Sequence, residues 1–201
     1  MNCEEKWQAA QLWAAQMQEY TPIAWDRMPE LELYMDQVIT FMEKQLAFYR
    51  RNAQSKTLTP SMINNYVKEA LLHRPVNKRY NRTHLAELMV VSMLKPILTM
   101  ADIADLKQAI TLPSDAEALY ATFSEAQAEA MRAVGQEVVQ LCTAEAEHTS
   151  GRLALLAMQL ALRANAYRAA AEHLLELLAP APPADTKPAK EGKPTKAPKN
   201  E

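Results

Sequence analysis

Four polar residues near the middle of the chain share one face of a short predicted helix. Thr59 and Pro60 predict its start, because threonine caps helix N-termini and proline fits the first helical position. At 100° per residue, the polar and apolar side chains of residues 60–71 fall on opposite sides. The polar side carries Ser61, Asn64, Asn65 and Lys68. Hydroxyl and amide groups hydrogen-bond base edges, and asparagine pairs well with adenine, so we predict that this face recognises bases.

Positive charge is concentrated around this helix. Residues 50–82 contain eight Lys or Arg and one acid, Glu69, so they carry +7 while the whole chain carries −2. A basic segment on an otherwise acidic chain indicates a polyanionic partner, and the alternative is a solvated surface. Residues 73–82, the basic loop, predict an irregular loop or a small two-stranded wing. The cations expected to bind phosphates are Lys68, Arg74, Lys78, Arg79 and Arg82.

Other side chains of this segment allow more than one role. Tyr66 lies on the apolar face of the helix and is expected in the core. Tyr80 either packs the loop down or gives its hydroxyl to a phosphate, and we include it among the candidate DNA contacts. Asn64 and Asn65 would face solvent if the helix bound no nucleic acid.

The composition predicts a mainly α-helical fold to hold these residues. Only three glycines occur, although hairpin turns depend on residues with positive φ. Ala, Leu, Glu, Gln and Met are common instead, and these favour helices. In residues 1–55 we predict two helices that pack on the core, the first over residues 3–20 and the second from near residue 29 to residue 51.

Residues 56–112 are predicted to form one compact unit. After the helix of residues 60–71 and the basic loop, helices are predicted over residues 83–95 and 100–109. Thr99 and Asp102 predict a variant of the capping box at the start of the last helix.

The C-terminal part predicts a long helical hairpin. Apolar residues at steps of three and four run through residues 114–148 and again through residues 152–179, with Gly151 between them. We predict an antiparallel hairpin over residues 113–179 that dimerises, senses a signal or does both, covered by the N-terminal helices or by a second subunit. Residues 180–201 are rich in Lys, Pro and Ala and predict a disordered tail.

Residues 58–106 resemble the winged helix-turn-helix of MerR-type regulators. Three sequence segments support the resemblance: residues 59–72 match the recognition helix, residues 78–85 match the end of the wing, and residues 95–103 match the start of the final helix. The resemblance implies a MerR-like DNA-binding domain over residues 56–112.

A closer similarity is to an uncharacterised bacterial family, a domain of unknown function whose members are regarded as transcriptional regulators. It covers about residues 30–110 and depends on the phrases at residues 33–38, 58–68 and 78–80. Similarity to this family implies a role in the regulation of transcription but does not imply a specific activity.

Catalytic, metal and membrane roles have weaker support. Glu145 and His148 have the spacing of a di-iron carboxylate helix, but the second such motif is missing around His173. Cys3 and Cys142 are far apart, which favours two free thiols. Early acids and the lack of a long apolar run predict no signal peptide and no membrane span, hence a cytoplasmic protein. We therefore expect no enzyme activity, no cofactor and no metal.

Together these features predict a sequence-specific regulator of transcription that binds double-stranded DNA, with residues 60–71 as the recognition helix and residues 73–82 as a basic wing. A homodimer is the expected state, and an unidentified small-molecule effector would regulate it. The alternative is a helical protein-interaction adaptor whose basic segment docks on an acidic partner and binds no DNA.

Overall fold

Seven α-helices dominate the computed structural model, which describes residues 1–50, 58–110, 116–144 and 147–178. The helices are α1 (Cys3–Glu19), α2 (Met35–Gln45), α3 (Pro60–Lys68), α4 (Arg82–Leu94), α5 (Met100–Ala109), α6 (Ala116–Ala144) and α7 (Ser150–Leu178). Short 3-10 helices at Trp25–Arg27 and Ala47–Tyr49 flank α2. Among the described residues, β pairing is limited to two isolated bridges. The predicted mainly helical fold is confirmed, and the predicted tail of residues 180–201 lies outside the described residues.

The second helix begins later than the sequence predicted. It starts at Met35, not near residue 29, and Leu31, which lies within the predicted range of the helix, is 81% exposed. The cause is a pairing with the basic loop: Leu33 and Tyr80 exchange two backbone hydrogen bonds of 2.8 and 2.9 Å. Such an exchange requires extended backbone at both residues, so no helix can run through this segment.

The main core lies between α2, α3, α4, α5 and the first turns of α6. Helix α4 is almost surrounded by it, since Leu85, Leu88 and Met89 are all fully buried. Tyr120 of α6 is also buried and donates its hydroxyl to the Ile23 carbonyl oxygen at 2.8 Å. This core fixes the positions of α3 and of the loop that follows it.

The start of α5 has the predicted capping box. The Thr99 hydroxyl accepts a hydrogen bond from the Asp102 backbone N–H at 3.2 Å, and the Asp102 carboxylate accepts one from the Thr99 N–H at 2.8 Å. The Thr99 hydroxyl also donates to the Asp102 carboxylate at 2.7 Å, and this bond, together with that from the Thr99 N–H, holds the pKa of Asp102 below its ordinary value.

A second, smaller core joins α1, the C-terminal half of α6 and the first part of α7; we call this region the distal bundle. Its buried residues are Trp7, Ala14, Val138, Cys142 and Leu156. At Gly135 the backbones of α1 and α6 are so close that an added Cβ would lie 2.6 Å from the Ala14 carbonyl oxygen. The most extensive packing of α6 is therefore against α1, the N-terminal cover that the predicted hairpin needed.

Candidate nucleic-acid interface

Helix α3 divides its side chains between core and solvent. The Thr59 hydroxyl caps it by accepting from the Met62 N–H at 3.2 Å, and Pro60 occupies its first turn. Ile63 and Tyr66 are buried in the main core. The predicted polar residues Ser61, Asn64, Asn65 and Lys68 are all exposed. The two faces are as predicted, although the helix ends at Lys68 and not at residue 71.

The early end of α3 comes from a tight cap. Ala70 has a φ of 57°, its N–H donates to the Val67 carbonyl at 3.2 Å, and the Leu71 N–H donates to the Tyr66 carbonyl at 2.9 Å. This is the Schellman arrangement, in which the left-handed residue is usually glycine. Leu71 then turns inward and is buried, so the main core fixes the direction in which the chain leaves the helix.

The basic loop reverses direction through a two-residue turn. Val76 and Arg79 form an isolated antiparallel bridge, with the Arg79 N–H donating to the Val76 carbonyl at 2.9 Å. Between them Asn77 and Lys78 have φ values of 51° and 60°. Positive φ at both central residues is the type I′ turn, which favours asparagine and glycine. Of the two predicted forms, the structure therefore has a loop closed by one bridge, with Lys78 exposed at its tip.

Four predicted cations project from α3 and the loop. Lys68, Arg74, Lys78 and Arg79 are all exposed. Among the described residues no salt bridge of theirs is found, although the Arg79 guanidinium lies 5.3 Å from the centre of the Tyr34 ring. Glu69, the acid next to Lys68 in sequence, is itself exposed. These cations are thus available to an anionic partner.

The structure places two predicted contact residues in supporting positions instead. Tyr80 is 3% exposed, pairs with Leu33 and meets the His84 ring edge-on at 5.5 Å, so its hydroxyl is not presented to a phosphate. Arg82 donates to the Met28 carbonyl oxygen at 3.1 Å and lies over the Trp25 ring at 5.8 Å. Of the two roles considered for Tyr80, packing is the one supported. Arg82 fastens the segment before α2 to the loop, so both residues support the candidate interface and are not proposed as DNA contacts.

A buried histidine braces the exit of the loop. Asn81 caps α4, with its side-chain oxygen 2.6 Å from His84 Nδ1 and 3.3 Å from the His84 N–H. Burial lowers the pKa of His84, so the neutral ring is favoured in the folded protein. Sequence reasoning missed this bracing pair, although the Asn-x-x-His spacing ahead of a helix could have indicated a cap.

The residues of the other candidate sites have structural contacts where the structure describes them. Glu145 of the Glu-x-x-His spacing lies outside the described residues, while His148 stacks on Trp7 at 4.9 Å and contacts the Glu4 carboxylate at 2.7 Å. In the described part of the chain, no group of three His, Cys, Asp or Glu could hold a metal ion. Cys3 and Cys142 are both free thiols. None of the described helices is both long and apolar enough to cross a membrane.

A family model described as a domain of unknown function (DUF1836) matches residues 23–123. The chain belongs to the DUF1836 family. The matched range contains the whole candidate interface, from the segment before α2 to the start of α6, and excludes α1 and α7. No curated protein and no solved structure matches the chain. The predicted membership in a family of unknown function is thus confirmed over a longer range than residues 30–110.

Proposed function

We propose that this DUF1836 protein is a transcriptional regulator that binds specific sites on double-stranded DNA, through a MerR-like helix-turn-helix in which α3 enters the major groove. The exposed polar face of α3 carries Ser61, Asn64 and Asn65, whose side chains suit base edges. Lys68, Arg74, Lys78 and Arg79 would bind the flanking phosphates and so fix the register of the helix on the duplex.

The observation that carries this proposal is the conformation of Lys78. Its φ of 60° is costly for a residue with a side chain, and glycine would suit the second central position of a type I′ turn better. A lysine there places a positive charge at the tip of a tight, exposed turn. Strained residues of this kind concentrate at functional positions, and a phosphate contact would give the charge of Lys78 a function.

Replacing Lys78 separates its cost to the stability of the fold from its contribution to DNA binding. Lys78→Gly should stabilise the fold by roughly 0.5–1 kcal/mol, because glycine accepts positive φ, as measured by urea unfolding. The same variant should weaken duplex binding and reduce the slope of log K against log salt by about one unit. Asn77→Gly is the matched control, since it changes the neighbouring turn residue without removing a charge. Equal duplex affinity for Lys78→Gly and Asn77→Gly would remove Lys78 from the interface.

Selection of genomic fragments bound by the full chain tests sequence specificity. An enriched motif is expected, and Asn64→Ala or Asn65→Ala should relax the preference within it, since each loses one amide that can pair with a base. The absence of any enriched motif would contradict the regulator and favour the adaptor, in which the basic loop docks on an acidic protein.

We further propose that the protein acts as a homodimer whose copies pair through α7. The outward face of α7 leaves a mostly apolar stripe exposed, which the polar residue His173 interrupts near its C-terminal end: Leu155, Met158, Leu162, Ala166, Ala169, His173 and Leu177. The stripe is bulky at both ends and small at its centre, so a second copy running antiparallel would set Leu162 against Ala169. This self-complementarity is what a two-fold dimer requires, and a two-fold protein favours a two-fold DNA site.

Sedimentation equilibrium tests the dimer. Leu162→Glu should give a monomer, whereas Leu12→Glu on α1 should not, although the two leucines are almost equally exposed, at 62% and 64%. A monomeric wild-type chain at micromolar concentration, or a dimer that survives Leu162→Glu, would contradict pairing through this stripe.

A further inference from the structure

A cavity of about 430 Å³ lies between α4, α5 and α6, and residues of the main core form part of its wall. Its size falls within the usual range for small-molecule sites. Most of its wall is apolar, and the lining side chains include Leu71, Ala86, Val90, Leu106, Leu119 and Phe123. The cavity therefore suits a molecule whose body is hydrocarbon.

One end of the cavity is polar. Glu87 lies there with a side chain that is only 14% exposed, and its Oε1 is 2.6 Å from His73 Nδ1 and 2.7 Å from Lys107 Nζ. The other carboxylate oxygen accepts the His73 backbone N–H at 3.0 Å. Lys107 also donates to the Leu71 carbonyl oxygen at 3.3 Å. The apolar wall thus ends in the Glu87 carboxylate and the two residues that hydrogen-bond to it, His73 and Lys107.

Lys107 keeps hydrogen-bonding capacity at this end as a donor. Oε1 of Glu87 already accepts from both His73 and Lys107, and Oε2 accepts the His73 backbone N–H, which leaves one carboxylate lone pair, on Oε2, for a ligand amine. The ammonium group of Lys107 has three N–H bonds and uses two of them, which leaves one for an acceptor. A carboxylate on the ligand would accept it and gain a charge-assisted hydrogen bond.

We infer that this cavity binds a small carboxylic acid with an apolar body, such as a medium-chain fatty acid, with its carboxylate on Lys107 and its chain among Val90, Leu119 and Phe123. The wall includes Leu71 and His73, which connect the end of α3 to the basic loop. Occupancy would therefore act on the junction between the two parts of the candidate interface. Only this regulatory consequence depends on the proposed DNA binding; the ligand site itself does not.

The test is calorimetric titration of the full chain, without DNA, at neutral pH with octanoate, octan-1-ol and octylamine. Octanoate should bind with one site per chain and more tightly than the other two. Across hexanoate, octanoate and decanoate, the affinity should rise roughly fourfold for each added methylene until the cavity is filled.

Variants locate the ligand. Lys107→Met should weaken octanoate binding roughly tenfold or more and leave octan-1-ol nearly unchanged, whereas Lys107→Arg should keep the preference for the acid. Val90→Phe, which fills the cavity, should abolish binding of both ligands. Lys6→Met on α1 removes a distant exposed charge and should change nothing. Far-ultraviolet circular dichroism confirms that each variant is folded.

Several results would overturn the inference. Failure of all three ligands to bind would show that the cavity is not a ligand site, and tighter binding of octylamine would show that its polar end accepts rather than donates. Binding that survives Val90→Phe would place the ligand elsewhere, for example on the exposed stripe of α7. Each of these results is obtained without DNA, so none depends on whether the protein binds a duplex.

Discussion

The region matched by the family and the distal bundle are built differently, although both are helical. Among the described residues, the main core contains nineteen buried residues drawn mostly from residues 23–123, whereas the core of the distal bundle contains five. Helix α4 buries six of its 13 residues, but α7 buries two of its 29. The large core fixes the candidate interface and its loop, while the distal bundle depends on one close helix approach and leaves an apolar face to solvent.

The difference suggests a division of labour. A rigid, densely packed unit can hold recognition side chains at fixed positions, which specific DNA contacts require. A long helix with a self-complementary exposed face is suited to pairing two such units at a fixed spacing. The predictions that follow test the two halves of this comparison, beginning with the largest expected effect.

A cavity-creating substitution should be far more damaging in the main core than on α7. Leu88→Ala removes a fully buried side chain and should lower the free energy of unfolding by roughly 2–5 kcal/mol. Leu162→Ala, at a position that is 62% exposed, should change it by less than about 0.5 kcal/mol in dilute, monomeric protein. Urea unfolding of both variants measures the contrast, and equal losses would mean that α7 is buried in the isolated chain.

The close approach of α1 and α6 should make Gly135 intolerant of any side chain. Its Cβ would meet the Ala14 backbone oxygen at 2.6 Å and the Gln18 side chain at 2.8 Å, and the backbone cannot easily move away. Gly135→Ala should therefore destabilise the protein by about 1–3 kcal/mol despite the better helix propensity of alanine. Gly151→Ala meets nothing closer than 3.9 Å and should be neutral or slightly stabilising. Similar thermal unfolding of both variants would refute the tight contact.

The cap of α3 should be improvable because alanine occupies a glycine position. Ala70 has a φ of 57°, so Ala70→Gly should raise the free energy of unfolding by about 0.5–1 kcal/mol. Ala169→Gly, in the interior of α7, should instead lower it by a similar amount. Opposite signs for the two variants in urea unfolding are the expected result, and a loss at both positions would mean that the chain does not use this cap.

The buried His84, which contacts Asn81 at the exit of the basic loop, should make the free energy of unfolding depend on pH. Because burial lowers the pKa of His84 below its ordinary 6.5, the unfolded chain takes up the proton first. The contribution of His84 to the free energy of unfolding is complete above about pH 6.5. It is lost as the pH falls from there through the lower pKa that His84 has in the folded protein. The loss is no more than about 1.4 kcal/mol per pH unit, because one proton is involved. His84→Gln should remove this part of the slope in urea unfolding at a series of pH values. An unchanged slope would mean that the His84 ring is not held neutral in the folded protein.

Local patterns in the sequence were sufficient to predict most of the helices and the two faces of α3. Residues only a few positions away in sequence determine the helix caps at Thr59 and Thr99. They also determine which face of α3 is polar, and Asn64 and Asn65 are exposed on that face. The late start of α2 could not be predicted in the same way. It depends on a bridge between Leu33 and Tyr80, residues that are far apart in sequence.

Features that depend on three-dimensional packing were beyond the sequence. The cavity lies between α4, α5 and α6, and its polar end joins His73, Glu87 and Lys107, which no short motif connects. The structural role of Arg82 has the same origin. Arg82 is a cation like its neighbours in sequence, and only the folded position of the Met28 carbonyl and the Trp25 ring makes it a structural residue.

The central claim is that α3 and the basic loop bind duplex DNA, and charge reversal at the loop tests it most directly. The affinity of the full chain for a selected duplex is measured by fluorescence anisotropy over a series of salt concentrations, for the wild type, Arg79→Glu and the control Arg132→Glu, an exposed cation on α6. We predict that wild-type affinity falls steeply and linearly on logarithmic axes, that Arg79→Glu abolishes binding, and that Arg132→Glu binds like the wild type. Binding by a folded Arg79→Glu chain that equals that of Arg132→Glu would contradict the claim.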